Sequence, residues 1–144
     1  MNKKEKGGIM ISRDVFLRAV FDEAMKTAGD SRSALGTACS AAFDKRGKGC
    51  VLLFAFDRRG KFRFETSVVG EFFEHHVRFT ETVVEKLAGK ADSVAIAFDE
   101  SVMPHTDFEY AAALCHRLRE VLSERGVKLK AAFLINGGDY ESII

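Results

Sequence analysis

The sequence has no tryptophan and only two tyrosines, against thirteen phenylalanines. Surfaces that grip ligands or partners lean on Trp and Tyr, whose rings carry a polar handle. An aromatic set built on Phe points to an apolar core instead. Excess charge is also missing: 22 Lys and Arg against 21 Asp and Glu leave +1. No long-range field therefore draws the chain to nucleic acid or to anionic lipid. No apolar run approaches the roughly 18 residues of a membrane span. The basic stretch 1–8 has no apolar segment behind it, which argues against a secretory signal. Cys39, Cys50 and Cys115 are scattered and form no Cys-x-x-Cys pair, so neither a zinc knuckle nor a redox motif is indicated. Each stands among apolar neighbours and reads as a buried free thiol in a reducing cytoplasm. Internal repeats and low-complexity segments are absent.

What is present fits one domain with one core: 144 residues, 47% hydrophobic and 30% charged. Residues 1–11 read as a disordered or flexible lead and 12–144 as a single domain, with two front helices in 12–48 and the core in 49–144. Ser12 can cap a helix running to about Ala28, with Phe16, Ala19, Val20 and Met25 on its inner side and Gly29 ending it. A second helix fits Ser31 to about Lys45, its small-residue face made of Ala34, Leu35, Ala38, Ala41 and Ala42. Such a face needs something to pack on.

Cys50–Phe56 is a continuous apolar run, as in a strand buried on both faces. Asp57 to Gly60 is a turn, and Lys61–Thr66 alternates like a half-exposed hairpin partner. A helix starting somewhere between Phe72 and Thr80 ends at Leu87 or Ala88, with Val83, Val84 and Leu87 inward. Ser93–Phe98 is a second buried strand. Thr106-Asp107-Phe108-Glu109 is a capping box. It opens an amphipathic helix that carries Phe108, Ala111, Ala112, Cys115, Leu118 and Leu122 and stops before Gly126. Val127–Ile135 is a strand, Gly137-Gly138 a turn with positive φ, and Tyr140–Ile144 a short last strand. The order ααββαβαββ gives an α/β fold: a mixed sheet flanked by helices in a three-layer sandwich.

Few constellations carry chemistry. His75 and His76 follow Glu74, but adjacent residues on a helix point about 100° apart and seldom share one ion. A structural pair near the surface is the plainer interpretation, with His76 on the Phe72, Phe79, Val83 stripe if that stretch is helical. Asp99 and Glu100 lie just past a buried strand with His105 nearby, a place where loops often hold chemistry. Solvated acids are commoner there. Lys45-Arg46-Lys48 and Arg58-Arg59-Lys61 could touch phosphates, yet solvated turns suit a nearly neutral chain better. Gly137-Gly138 lacks the rest of a phosphate loop.

Four stretches together resemble one family. Val51–Asp57, Ala91–Ala97, Leu114–Leu122 and Phe133–Ser142 are similar, in order and in local text, to the RadC branch of the JAMM/MPN metalloprotease superfamily, over about two thirds of the chain. The resemblance implies a cytidine-deaminase-like sandwich. The family's signature is His-x-His, about ten residues, then Asp, with a Ser three before the Asp and a Glu near the first strand. Two imidazoles and a carboxylate hold Zn²⁺ with one position open, and the Glu takes a proton from the bound water. Without gaps, the His positions fall on Phe98 and Glu100, the Asp on Ala111, the Ser on Phe108 and the Glu on Gly49. The family's Pro-x-Gly after the second His is replaced by Ser101-Val102-Met103, and its amino-terminal helix-hairpin-helix has no counterpart.

The resemblance therefore implies a degenerate member: no catalytic residue, no zinc although the family uses it, and a plugged pocket with Phe98 and Phe108 as core. It also implies work as an interaction or scaffold module with a protein partner or a second copy. Two alternatives stand beside it. One is a metal-dependent hydrolase with a relocated site drawn from Asp99, Glu100, His105, His75 and His76. The other is a weak nucleic-acid-associated protein using the basic turns.

Overall fold

Two uninterrupted apolar runs form the middle of the sheet. A computed structural model describes residues 12–27, 31–43, 48–102 and 108–144, and of Met25, Thr27, Ser31 and Phe72 the backbone alone. In it β1 (Cys50–Phe56) and β3 (Ser93–Asp99) lie side by side and antiparallel, with Leu53 opposite Ile96. Strands covered on both faces need apolar residues at every position, and both are buried nearly end to end. β2 (Phe62–Val69) pairs antiparallel with β1 at one edge. β4 (Lys128–Asn136) runs parallel to β3, and β5 (Asp139–Ser142) returns antiparallel along β4. The order across the sheet is β2-β1-β3-β4-β5. A parallel pair needs a crossover, which α4 (Phe108–Glu124) supplies.

Helices cover both faces. α3 (His76–Leu87) and α4 set Phe79, Val83, Leu87, Ala111, Cys115 and Leu118 against Val51, Leu53, Val94, Ile96 and Phe98. α1 (Arg13–Thr27) and α2 (Ser31–Ala42) set Leu17, Phe21, Leu35 and Ala38 against Leu52, Phe54, Phe56 and Phe133. The α/β class and the element order agree with the sequence analysis. Among the described residues no helix is long and apolar enough to cross a membrane.

Several details differ from expectation. The inner side of α1 is Leu17 and Phe21; Phe16 and Ala19 are exposed and Val20 is half-buried. The buried stripe begins at Arg13, whose guanidinium bonds Glu65 at 2.7 and 3.0 Å and the Ala42 carbonyl at 3.0 Å. A charged residue heading an inward stripe hides the stripe's phase from a reading based on apolar spacing. The Ser12 hydroxyl accepts from Val15 N at 3.2 Å, so the amino-terminal cap is where it was expected. The expected end at Ala28 and Gly29 lies outside the described residues.

α2 ends at Ala42, and Lys45 lies outside the described residues. Its small face is satisfied within the chain: Ala34, Leu35, Ala38, Cys39 and Ala42 are buried, whereas Ala41 is exposed. The approach is close enough that a methyl at Gly36 would stand 2.3 Å from the Tyr140 ring of β5. This face calls for no outside partner. β2 continues to Val69, past the expected Thr66.

The helix begun by the expected capping box buries Leu114 as well as Ala111, Cys115, Leu118 and Leu122, while Ala112 is half-buried. Thr106 and Asp107 lie outside the described residues. Of the thiols, Cys39 and Cys115 are buried as expected, but Cys50, at the first residue of β1, is partly exposed. Burial pushes the Cys115 thiol up to about 12 and raises that of Cys39 as well.

Candidate functional site

The carboxyl end of β3 meets the start of β1 and the end of β2, and a short polar knot ties them. β3 passes into a 3₁₀ turn, Glu100–Val102. Asp99 Oδ1 accepts from Ser101 N at 3.0 Å and, in a short bond, from the Ser101 hydroxyl. That hydroxyl accepts in turn from Gly49 N at 2.9 Å. Gly70 N donates to Gly49 O at 2.8 Å, and a Cβ on Gly70 would stand 2.5 Å from that oxygen, so only glycine fits. Asp99 thus serves as the acceptor of a local turn.

An aromatic cluster fills the space beneath. Phe98 is fully buried, its ring centroid 4.8 Å from that of Phe73. Phe73 also lies 5.2 Å from Phe79 and 6.1 Å from Tyr110. The Tyr110 hydroxyl donates to Phe73 O at 2.8 Å. Burial, and secondarily the Glu74 carboxylate, raises its pKa, so the hydroxyl stays a neutral donor.

The five positions marked by the resemblance land in unlike surroundings. Phe98 and Ala111 are fully buried, Glu100 is exposed on the 3₁₀ turn, and Gly49 has φ 76°. A glutamate at position 49 would be strained by roughly 1–2 kcal/mol. Phe108 is 41% exposed, which corrects the expectation that it plugs the region. The space under the first turn of α4 is already taken by Phe73, against both Phe98 and Tyr110. Only Glu100 of the five offers a ligating side chain, and a catalytic zinc needs about three. These residues do not fit the metal.

The remaining candidates are not gathered with them. His75 and His76 are exposed at the start of α3, where His75 O accepts from Phe79 N at 2.9 Å. His76 shares the stripe of Phe79 and Val83 by helical spacing, three and seven residues before them, but in the first turn of α3 it is exposed. His105, Lys45 and Arg46 lie outside the described residues. Arg59 and Lys61 donate through their backbone N–H groups to Asp57 Oδ1, at 2.8 and 3.0 Å, in an ordinary turn closed by Gly60 at φ 83°. Among the described residues no group of three or more His, Cys, Asp or Glu could hold a metal ion.

Compared with family models and with curated proteins, the chain has no match in either.

Ser101, Phe73 and Tyr110 organise this region, and the sequence analysis singled out none of them. The Asp-x-Ser spacing of Asp99 and Ser101 was a readable turn signal. Phe73 and Tyr110 had no local signal, because they meet only through the fold. Ser101→Ala is expected to cost about 1 kcal/mol, the net value of a hydrogen bond of this kind. It should also speed hydrogen exchange at the Gly49 amide, whereas exposed Glu100→Gln should change neither. Unaltered exchange at Gly49 in the Ser101 variant would show that the knot contributes nothing.

Proposed function

We propose that the chain is a non-catalytic, JAMM/MPN-like domain of the RadC type that works as a protein-interaction or scaffold module in the cytoplasm. The observation that carries this is Phe98. At the strand position where the resemblance puts the first zinc-binding imidazole stands a fully buried ring, packed 4.8 Å from Phe73. A phenyl ring can neither ligate zinc nor move a proton. Ala111, also fully buried, has no donor where the carboxylate would be. Asp99, one of the carboxylates offered for a relocated site, already accepts two bonds from Ser101. Three unpaired thiols suit a reducing compartment.

Zinc titration by calorimetry on the purified chain tests the proposal, together with thermal melting in chelator. No heat of one-to-one binding and an unchanged midpoint are expected. Structural zinc contributes folding free energy directly, so a midpoint several degrees lower in chelator would count against the proposal. Tight stoichiometric binding would end it.

A further inference from the structure

Side chains of α1, and no described strand, lie along the outer edge of β2. β2 is the outermost strand beside β1, and among the described residues no strand pairs with its far side. Gly70 N donates to Gly49 O, so the backbone there turns toward β1. In an antiparallel ladder hydrogen-bonded pairs alternate with unbonded ones. Val68, Thr66 and Phe64 therefore also face β1, whereas Val69, Ser67 and Glu65 turn N–H and C=O to the outer side.

Near the start of β2 the register shifts. Ala55 stands opposite Phe64 but Phe56 opposite Phe62, so Arg63 is the extra residue of a bulge. The half-exposed guanidinium of Arg18, on α1, lies across this bulge. It donates to Phe62 O at 3.1 Å and to Arg63 O at 3.4 Å, with its carbon 6.0 Å from the centroid of the Phe62 ring. Asp14, one turn earlier, holds the same guanidinium at 3.1 Å. Arg13 in the first turn of α1 binds the Glu65 carboxylate at 2.7 Å. The first turns of α1 thus occupy the side of β2 that a neighbouring strand would need. Bulges and charges set along an edge are the usual means by which a sheet resists pairing with another chain.

We propose that α1, through Arg18, keeps β2 from pairing with β2 of a second copy, and that removing this guard yields a two-fold dimer joined edge to edge at β2. The strand's own sequence argues for a second copy as the occupant. About a two-fold axis at Phe64, the outward-facing Glu65 of each copy stands opposite Arg63 of the other. Opposite charges directly across an antiparallel pair favour it, and the two-fold supplies two such pairs. Arg63 is exposed and available to reach across. A net charge of +1 sets no general repulsion between copies. In this register the Glu65 N–H of one copy donates to the Arg63 carbonyl of the other, the same carbonyl that Arg18 holds. Guard and pairing therefore exclude each other. The proposal does not depend on the non-catalytic assignment.

Sedimentation velocity of the full chain and of Arg18→Ala, each over a range of concentrations, tests it. The parent should stay monomeric, and Arg18→Ala should dimerise with association strengthened at least about tenfold. Hydrogen exchange at the Glu65 amide should slow in the dimer. Adding Arg63→Glu to Arg18→Ala sets like charges opposite each other and should weaken the dimer about tenfold. Melting midpoints show that each variant is folded. If Arg18→Ala is not, Arg18→Gln replaces it, since it keeps a good helix former and loses the fork. A folded Arg18 variant that remains monomeric would overturn the proposal, as would a parent that dimerises equally well. Open-ended aggregates would do the same, because a two-fold contact closes on itself. A dimer whose Glu65 amide exchanges as in the monomer would place the contact elsewhere and sink the pairing at β2. None of these outcomes touches the zinc titration.

Discussion

Phe21→Ala is expected to lower the unfolding free energy by about 3–5 kcal/mol, the usual range for deleting a buried phenyl ring. Phe21 is the residue by which α1 grips the sheet. Its ring centroid lies 5.1 Å from Phe54, 5.2 Å from Phe56 and 5.5 Å from Phe62, the last with planes only 4° apart. Each such pair adds roughly 0.5–1.5 kcal/mol beyond the area it buries. A domain of this size has about 5–15 kcal/mol in all, so the variant should lie near the limit of folding. Urea unfolding followed by circular dichroism measures the loss. Phe16→Ala, five residues earlier on the exposed side, should stay within about 0.5 kcal/mol of the parent. Similar losses from both variants would mean that the helix is seated on a different stripe.

Phe98→His should cost a comparable amount, about 3–5 kcal/mol, and Phe108→Ser almost nothing. The first change removes ring contacts with Phe73 and puts polar nitrogens into a fully buried aromatic cluster. The second acts on a side chain that is 41% exposed. The histidine variant should also acquire a pH dependence. Burial disfavours the imidazolium, so the folded pKa falls below the unfolded value of about 6.5. The unfolded state then binds more protons as pH drops, and the variant loses further stability on acidification through that region, relative to the parent. Urea midpoints at pH 8 and pH 5.5 give the comparison. A variant that kept full stability and bound zinc would show that the region can still open as a metal pocket.

The element order was legible because β1 and β3 are apolar without interruption, a pattern that strands sealed between helical layers require. The hairpin turns were legible for an equally local reason, since Asp57, Gly60 and Gly137 declare their own backbone conformations. Side-chain direction was less so. The phase of α1 was misread because Arg13 belongs to the inward stripe through its bond to Glu65, fifty-two residues away in sequence. Phe108 was misjudged because Phe73 had already taken the space beneath it, and no spacing rule reports such competition. The small-residue face of α2 looked unpartnered only because β4 and β5, which it covers, come near the far end of the chain.

The three thiols differ in what an oxidant could do to them. The thiolate is the species that reacts. Cys39 and Cys115 are sealed in opposite layers with raised pKa values, so they have almost no thiolate and no route to each other across the sheet. Peroxide or a disulfide reagent that met the folded chain would find Cys50 first, at the head of β1 beside the Gly49–Ser101 knot. Any adduct there would sit where three strands are tied together, so oxidative damage would begin at the upper end of the sheet and leave both cores chemically intact.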